Sequence, residues 1–301
     1  MNTSDTPTAS GERDDTLATQ TVCIVGCGLM GGSLALALRQ QVARLQVVDP
    51  DPATRERALA RGLADAASAT LAEGVHGAQL VVLAAPVRTN LALLPRLGAL
   101  VAPGTLLLDL SSTKAAMIAA MDALPPQVRA VGAHPMCGKE LAGLAHADST
   151  LFRRRVFVLC RSRRSDDAAL RLAERLVAAV GAVPLLLDPQ AHDHAVAHVS
   201  HLPYLLSAAL VAACSELPDV ARQLAASGFR DMARLAASDP QMMADVLLTN
   251  REAVGEALQR ASAALGQLAD LLVPGAEDAL QARLAALQGQ RQSWPPTTGA
   301  S

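Results

Sequence analysis

A short apolar run, Thr21-Val22-Cys23-Ile24-Val25, leads straight into Gly26-Cys27-Gly28-Leu29-Met30-Gly31, and an apolar-periodic helix pattern follows as far as Gln40. A strand, a glycine-rich turn and a helix in that order form a phosphate-binding crossover. Gly26 permits the tight turn, Gly28 lets the backbone approach a pyrophosphate, and Gly31 lets helix and sheet pack closely. The free N–H groups at Leu29, Met30 and Gly31, with the positive end of the helix dipole, then face the phosphates. Asp49 closes the next apolar run. A carboxylate about 20 residues beyond the turn accepts hydrogen bonds from both ribose hydroxyls and repels a 2′-phosphate, which favours NAD over NADP.

Around this motif, short apolar runs alternate with helical patterns, as a doubly wound sheet requires. Strands are expected at 22–25, 45–48, 80–84, 106–108, 128–131, 156–159 and 183–187, with helices at 53–60, 90–100 and 166–180 among those between them. After Asp188-Pro189 the pattern changes to long Ala/Leu/Arg/Glu periodicity broken at Pro218, Pro240 and Pro274-Gly275. The expected architecture is α/β, an N-terminal Rossmann-type doubly wound sheet over residues 21–188, followed by an all-α domain over 189–288. Residues 1–20 and 289–301 read as disordered ends. The second domain is so rich in Ala and Leu that its helices cannot all bury their apolar faces within one chain, which predicts a homodimer.

Composition narrows the class. With a formal net charge of -2 and five aromatic residues in 301, the chain has neither a basic field nor a stacking platform for nucleic acid. Five cysteines without a C-x-x-C pair predict reduced thiols and a cytoplasmic enzyme. The polar first 20 residues and the lack of any long apolar run predict neither a signal peptide nor a membrane span.

Three polar groups are placed for chemistry at the carboxyl ends of the strands. Asp109-Leu110-Ser111-Ser112-Thr113-Lys114 ends a strand, and Ser112 or Thr113 is equally suited to cap the next helix. Gly132-Ala133-His134-Pro135 puts an imidazole on a loop after a strand, where it can accept a proton from a substrate hydroxyl. The third group runs from His192-Asp193-His194 through His198 and Ser200-His201-Leu202-Pro203-Tyr204 to Arg230 and Arg234. His194, His198 and His201 share a helical face and would suit a metal, but no carboxylate joins them, so polar cleft residues are expected there and no metal. Arg230 and Arg234, four apart, would fork onto carboxylates from one helical face.

Taken together, Gly26 to Gly31, Ala85-Pro86, Ser112 with Lys114, the run from Gly132 to Glu140, Ser200-His201-Leu202-Pro203 and the run from Gly228 to Arg234 resemble the prephenate/arogenate dehydrogenases of tyrosine biosynthesis. The resemblance spans residues 20 to 290 or so. It implies NAD-dependent oxidative decarboxylation of prephenate to 4-hydroxyphenylpyruvate, or of arogenate to tyrosine, by a dimer with an intertwined helical domain. It also implies that His134 is the catalytic histidine bonded to the ring hydroxyl, that Ser112 orients that hydroxyl, and that Arg234, assisted by Arg230, holds a carboxylate. Pro86 falls in the cofactor site, and Ser200, His201 and Tyr204 in the substrate site. At the position of Tyr204 many members carry His. A β-hydroxyacid-type reductase would be expected to place a catalytic Lys or other group on the first helices after the sheet, where this chain has His and Ser; a non-catalytic NAD-sensing module would need no acid/base group.

Overall fold

The computed structural model describes residues 16–139 and 141–294. Eight strands form one sheet in the order β3-β2-β1-β4-β5-β6-β7-β8. In chain order the first half runs β1 (Thr21–Val25), α1 (Leu29–Leu38), β2 (Arg44–Val48), α2 (Pro52–Ala60), β3 (Ala66–Ser68), α3 (Leu71–Gly74), β4 (Leu80–Leu83), α4 (Val87–Leu100), β5 (Leu106–Asp109), α5 (Ala115–Asp122), β6 (Arg129–Pro135), β7 (Val156–Arg161), α6 (Asp167–Ala179) and β8 (Val183–Leu186). The neighbours from β3 to β6 pair in parallel. Among the described residues no helix of α type separates β6 from β7, and β7 returns antiparallel to β6, with β8 parallel to β7.

Two apolar layers sandwich this sheet. One contains Leu34 and Leu38 of α1 with Leu172 and Leu176 of α6; the other contains Leu94 and Leu97 of α4 with Met117 and Met121 of α5. The central strands β4 and β5 are buried along their whole length, as parallel strands covered on both faces must be.

The helical half consists of α7 (Pro189–Val196), a π-helical turn at Ala197–His201, α8 (Leu202–Cys214), α9 (Asp219–Leu224), α10 (Ser227–Ala233), α11 (Pro240–Thr249), α12 (Arg251–Ala269) and α13 (Glu277–Gln292). Its breaks follow local chemistry. Pro218 precedes α9, Pro240 opens α11 under an Asp239 cap, and Gly275 turns at φ 85° before α13. The segment Pro189–Cys214 is long and apolar enough to cross a membrane by length and composition alone. His192 and Asp193 in its first half are nevertheless buried against the sheet domain, and they interrupt the apolar pattern in the sequence.

Several expectations need correction. Residues 17–19, within the expected loose N-terminus, form a 3-10 turn because Leu17 inserts into the core; residues 1–15 lie outside the described residues. Helix α13 continues past Gly289 to Gln292, since Gln290, Arg291 and Gln292 are good helix formers and outweigh one glycine; residues 295–301 of the expected tail lie outside the described ones. Strand β3 was absent from the expected set because Ala66-Ala67-Ser68 has no β-branched residue to mark it. His134 lies within β6, paired with Val158, rather than on a loop after it. The strand extends because the antiparallel return of β7 supplies it with partners as far as Pro135.

Candidate active site

The glycine turn has the shape its sequence requires. Gly26 sits at φ 94°, and a Cβ there would lie 2.8 Å from the Ala85 nitrogen. A Cβ on Gly31 would lie 1.9 Å from the Gly26 carbonyl oxygen, so helix and turn approach as closely as two backbones can. Above Gly28, by contrast, there is nothing within 4 Å. No side chain caps α1. Open space beside an uncapped helix N-terminus is the arrangement a pyrophosphate needs.

Asp49 completes this cradle. Its Oδ2 accepts the Cys27 N–H at 2.8 Å and its Oδ1 accepts the Asp51 N–H at 3.0 Å, which fixes the carboxylate beside the turn. Arg55 donates through Nη1 alone to the carbonyls of Asp49 and Pro50 at 2.7 and 2.8 Å. Burial pushes the Cys27 thiol up to about 11, with Asp49 adding to the effect and Arg61 opposing it, so it is no nucleophile. Leu29 and Met30 begin α1, and Pro86 immediately precedes α4 at the end of β4.

A buried relay starts at His134. Its Nδ1 lies 2.9 Å from His192 Nε2, and His192 Nδ1 lies 2.8 Å from Asp193 Oδ1. The two Asp193 oxygens also accept the backbone N–H groups of Lys114 and Ala115, at 2.6 and 2.8 Å. Amide N–H groups can only donate, so both oxygens act as acceptors and His192 donates through Nδ1. His192 Nε2 then accepts from His134 Nδ1–H, and His134 Nε2 keeps its lone pair. That atom has no partner among the described residues and is not sealed from solvent.

Burial holds the His134 imidazole well below its ordinary range, and His192, Lys114 and His201 act in the same direction. The ring is therefore held in its neutral form, with a lone pair on Nε2. His201 is lowered to about 4, chiefly by burial; Asp193 partly opposes this and His192 adds to it. Asn250 ties the cluster together by donating to the Asp193 carbonyl at 2.7 Å and meeting His201 Nδ1 at 3.3 Å. Beneath it, the fully buried Lys114 pairs with Asp109, whose other oxygen accepts the Ala133 N–H at 3.1 Å. This pair braces the strand that carries His134.

Asp193 thus caps α5 from another domain. Ser112 and Thr113 do not cap it, since no side chain of the flanking segment bonds its first turn. Ser112 is half-buried and its hydroxyl has no partner among the described residues. Thr113 meets Thr249 of α11 at 2.9 Å. On the cofactor side, the buried Asn90 donates to the Ala85 carbonyl at 2.8 Å and to Ser111 Oγ at 3.0 Å, linking the loop after β4 to the loop bearing Ser112.

The expected third group divides. The π-helical turn at Ala197–His201 adds a residue to the helical repeat and rotates His201 away from His194 and His198. The His194 and His198 rings meet at a tilt of 45°, centroids 4.7 Å apart, while His201 turns inward to Asn250. Among the described residues no His, Cys, Asp and Glu cluster would hold a metal. Ser200 is exposed and Tyr204 half-buried. Arg230 and Arg234 do not share one regular helix, because α10 ends at Ala233 and a 3-10 turn begins at Arg234. Both are exposed, and Arg230 donates to the Ala225 carbonyl at 3.5 Å. Sequence reasoning missed Asn90 and Asn250, and it read the adjacent pair His192-Asp193 only as cleft lining.

Residues 34–186 match the family model described as prephenate dehydrogenase, nucleotide-binding domain, and residues 188–286 the one described as prephenate dehydrogenase, dimerization domain. The prephenate dehydrogenase of Bacillus subtilis is 31% identical over 241 residues, covering 78% of this chain and 65% of that protein, just under two thirds of its length. A solved prephenate dehydrogenase from A. aeolicus, in complex with hydroxyphenyl propionate and NAD+, superposes with a TM-score of 0.85 at 30% identity, covering 92% of this chain and 98% of the other. Synechocystis arogenate dehydrogenase superposes with a TM-score of 0.79, also at 30% identity, covering 91% and 100%. With both family models matched in order over most of its length, the chain belongs to the prephenate dehydrogenase family.

Proposed function

We propose that this chain is an NAD-dependent prephenate dehydrogenase that converts prephenate to 4-hydroxyphenylpyruvate, NADH and CO2. The observation that carries the reading is the Asp193, His192, His134 relay, which leaves one accessible lone pair at the carboxyl edge of a nucleotide-binding sheet. The open space over Gly28 and the uncapped α1 fit a dinucleotide, and the Asp49 carboxylate fixed beside the turn favours NAD over NADP. Bound NAD supplies the hydride acceptor.

His134 Nε2 takes the proton of the ring hydroxyl as the hydride leaves the same carbon. The resulting ring carbonyl accepts the electron pair released when the ring carboxylate departs as CO2, and His134 returns the proton to the new phenolic oxygen. Its positive charge in the interval is offset through His192 by Asp193. Ser112, with an uncommitted hydroxyl, orients the ring oxygen, and Arg234 with Arg230 holds carboxylate. His201, Ser200 and Tyr204 line the substrate side.

Arogenate is the second reading, because Synechocystis arogenate dehydrogenase is as similar in identity as the A. aeolicus enzyme, and a Tyr204 hydroxyl can either donate or accept toward the side chain. We also infer a cytoplasmic homodimer. The dimerization-domain match and the exposed Leu224, Met232, Leu248, Leu265 and Leu272 support assembly. Initial rates with prephenate and arogenate, each with NAD and with NADP, test the assignment. The highest kcat/KM is expected for prephenate with NAD, and no turnover of either substrate would overturn it.

A further inference from the structure

Asn250 stands between α11 and α12, where an asparagine side chain ordinarily caps the helix that follows. Here it makes no bond to the first turn of α12. The residue is buried, and its amide faces α7 and the π-helical turn instead. Nδ2 donates to the Asp193 carbonyl at 2.7 Å and lies 3.3 Å from His201 Nδ1. The usual cap has been given up for these two contacts.

Their geometry fixes where the His201 proton sits. A backbone carbonyl only accepts, so the atom facing Asp193 is the amide nitrogen and not the oxygen. An amide nitrogen only donates. His201 Nδ1 is therefore the acceptor of the second N–H, and the ring proton is on Nε2. Burial keeps a further proton off the ring, lowering His201 to about 4; Asp193 of α7 opposes this and His192 of α7 adds to it. His201 also acts on His134 of β6, on the side of the neutral form. His201 Nε2 has no partner among the described residues and, unlike the sealed Nε2 of His198, is open to solvent. The cluster thus presents two uncharged rings of opposite polarity, a lone pair on His134 and an N–H on His201.

We propose that Asn250 is a positioning residue: it locks His201 as a neutral hydrogen-bond donor through Nε2, and that N–H holds a carboxylate of the substrate while His134 faces the ring hydroxyl. A carboxylate oxygen only accepts, so a fixed N–H matches it where the other tautomer would present a repelling lone pair. The π-helical turn, a device that recurs at functional sites, brings His201 inward to meet Asn250. The inference rests on the substrate-side place given to His201 above.

Nitrogen-15 spectra of histidine-labelled, NAD-saturated protein read the tautomer directly, the His201 signal being identified by its loss in His201→Phe. A proton on Nε2, unchanged from about pH 5.5 to 8, is expected in the parent, and a mixture of tautomers in Asn250→Ala. Asn250→Ala should also raise KM for prephenate about fivefold or more with kcat within about twofold, and should add nothing to it in a His201→Phe background. Hydroxyphenyl propionate lacks the ring carboxylate. A Kd for it that rises together with KM assigns His201 to the side-chain carboxylate, and an unchanged Kd assigns it to the ring carboxylate. The spectrum and the Kd need no turnover, so they stand apart from the reaction assigned above. The parent spectrum needs no variant of Asn250 to fold, and Asn250→Ser repeats the other measurements if Asn250→Ala does not. A proton on Nδ1 in the parent overturns the proposal. So does an Asn250 variant with the parent's NAD affinity that keeps both KM and Kd, or one whose effect persists undiminished in His201→Phe.

Discussion

The roles proposed for His134 and Arg234 can be separated by kinetics. His134→Asn should lower kcat about 10²- to 10⁴-fold with little change in KM, and should remove the acidic limb of the pH profile, since an amide takes no proton. Arg234→Ala should act mainly on substrate binding, raising KM by the loss of a charge-assisted carboxylate contact. An unchanged kcat in the first, or an unchanged KM in the second, contradicts the role given to that residue. The buried histidines also set a pH dependence of stability. His201 is held at about 4 in the folded chain against 6.5 unfolded, and His134 is displaced in the same direction. As pH falls through this window the unfolded chain takes up protons first. Stability is therefore complete above about pH 6.5 and declines toward pH 4, by on the order of 3 kcal/mol for His201. Urea unfolding midpoints at pH 7 and pH 5 should differ in that sense, and less so in His201→Asn. Individual residues were the least legible scale. His134 and Asp49 stood out as candidates because each stands at the end of an apolar run. The relay was not, since the contact of His134 with His192 joins residues 58 apart and depends on how one domain docks on another.

At the scale of elements, the glycine turn makes a contrast available. Gly31→Ala should destabilise the protein without any cofactor present, because its Cβ meets the Gly26 backbone oxygen at 1.9 Å. Gly28→Ala finds open space and should leave the melting temperature of the cofactor-free protein unchanged while weakening NAD binding. Thermal melts with and without NAD distinguish the two, and a stable, NAD-binding Gly31→Ala would refute the packing argument. Most elements were readable for equally local reasons: short apolar runs marked the buried strands, and Pro218, Pro240 and Gly275 marked helix ends. The failures are physical too. Strand β3 is held by pairing to β2 and not by its own propensity, and the reversal of β7 follows from a long connection that carries no sequence periodicity.

At the scale of the whole molecule, exposed Leu and Met side chains on the helical half call for a partner surface, and no residue of α13 is buried within the single chain. Light scattering at micromolar concentration should give a dimeric mass, and a chain ending at Asp188 should be monomeric or aggregate; a monomeric full-length protein would contradict the assembly.

The carboxylate that caps α5 belongs to α7, so the start of a sheet-domain helix is completed only when the helical domain is docked. Domains joined merely by a linker melt independently. Here loss of the helical half removes the cap from α5, and loss of the sheet half leaves the buried Asp193 carboxylate without its two backbone donors, which couples their unfolding. Scanning calorimetry should accordingly show one cooperative heat-absorption peak in the native protein, and Asp193→Asn, which weakens the shared cap, should split it into two.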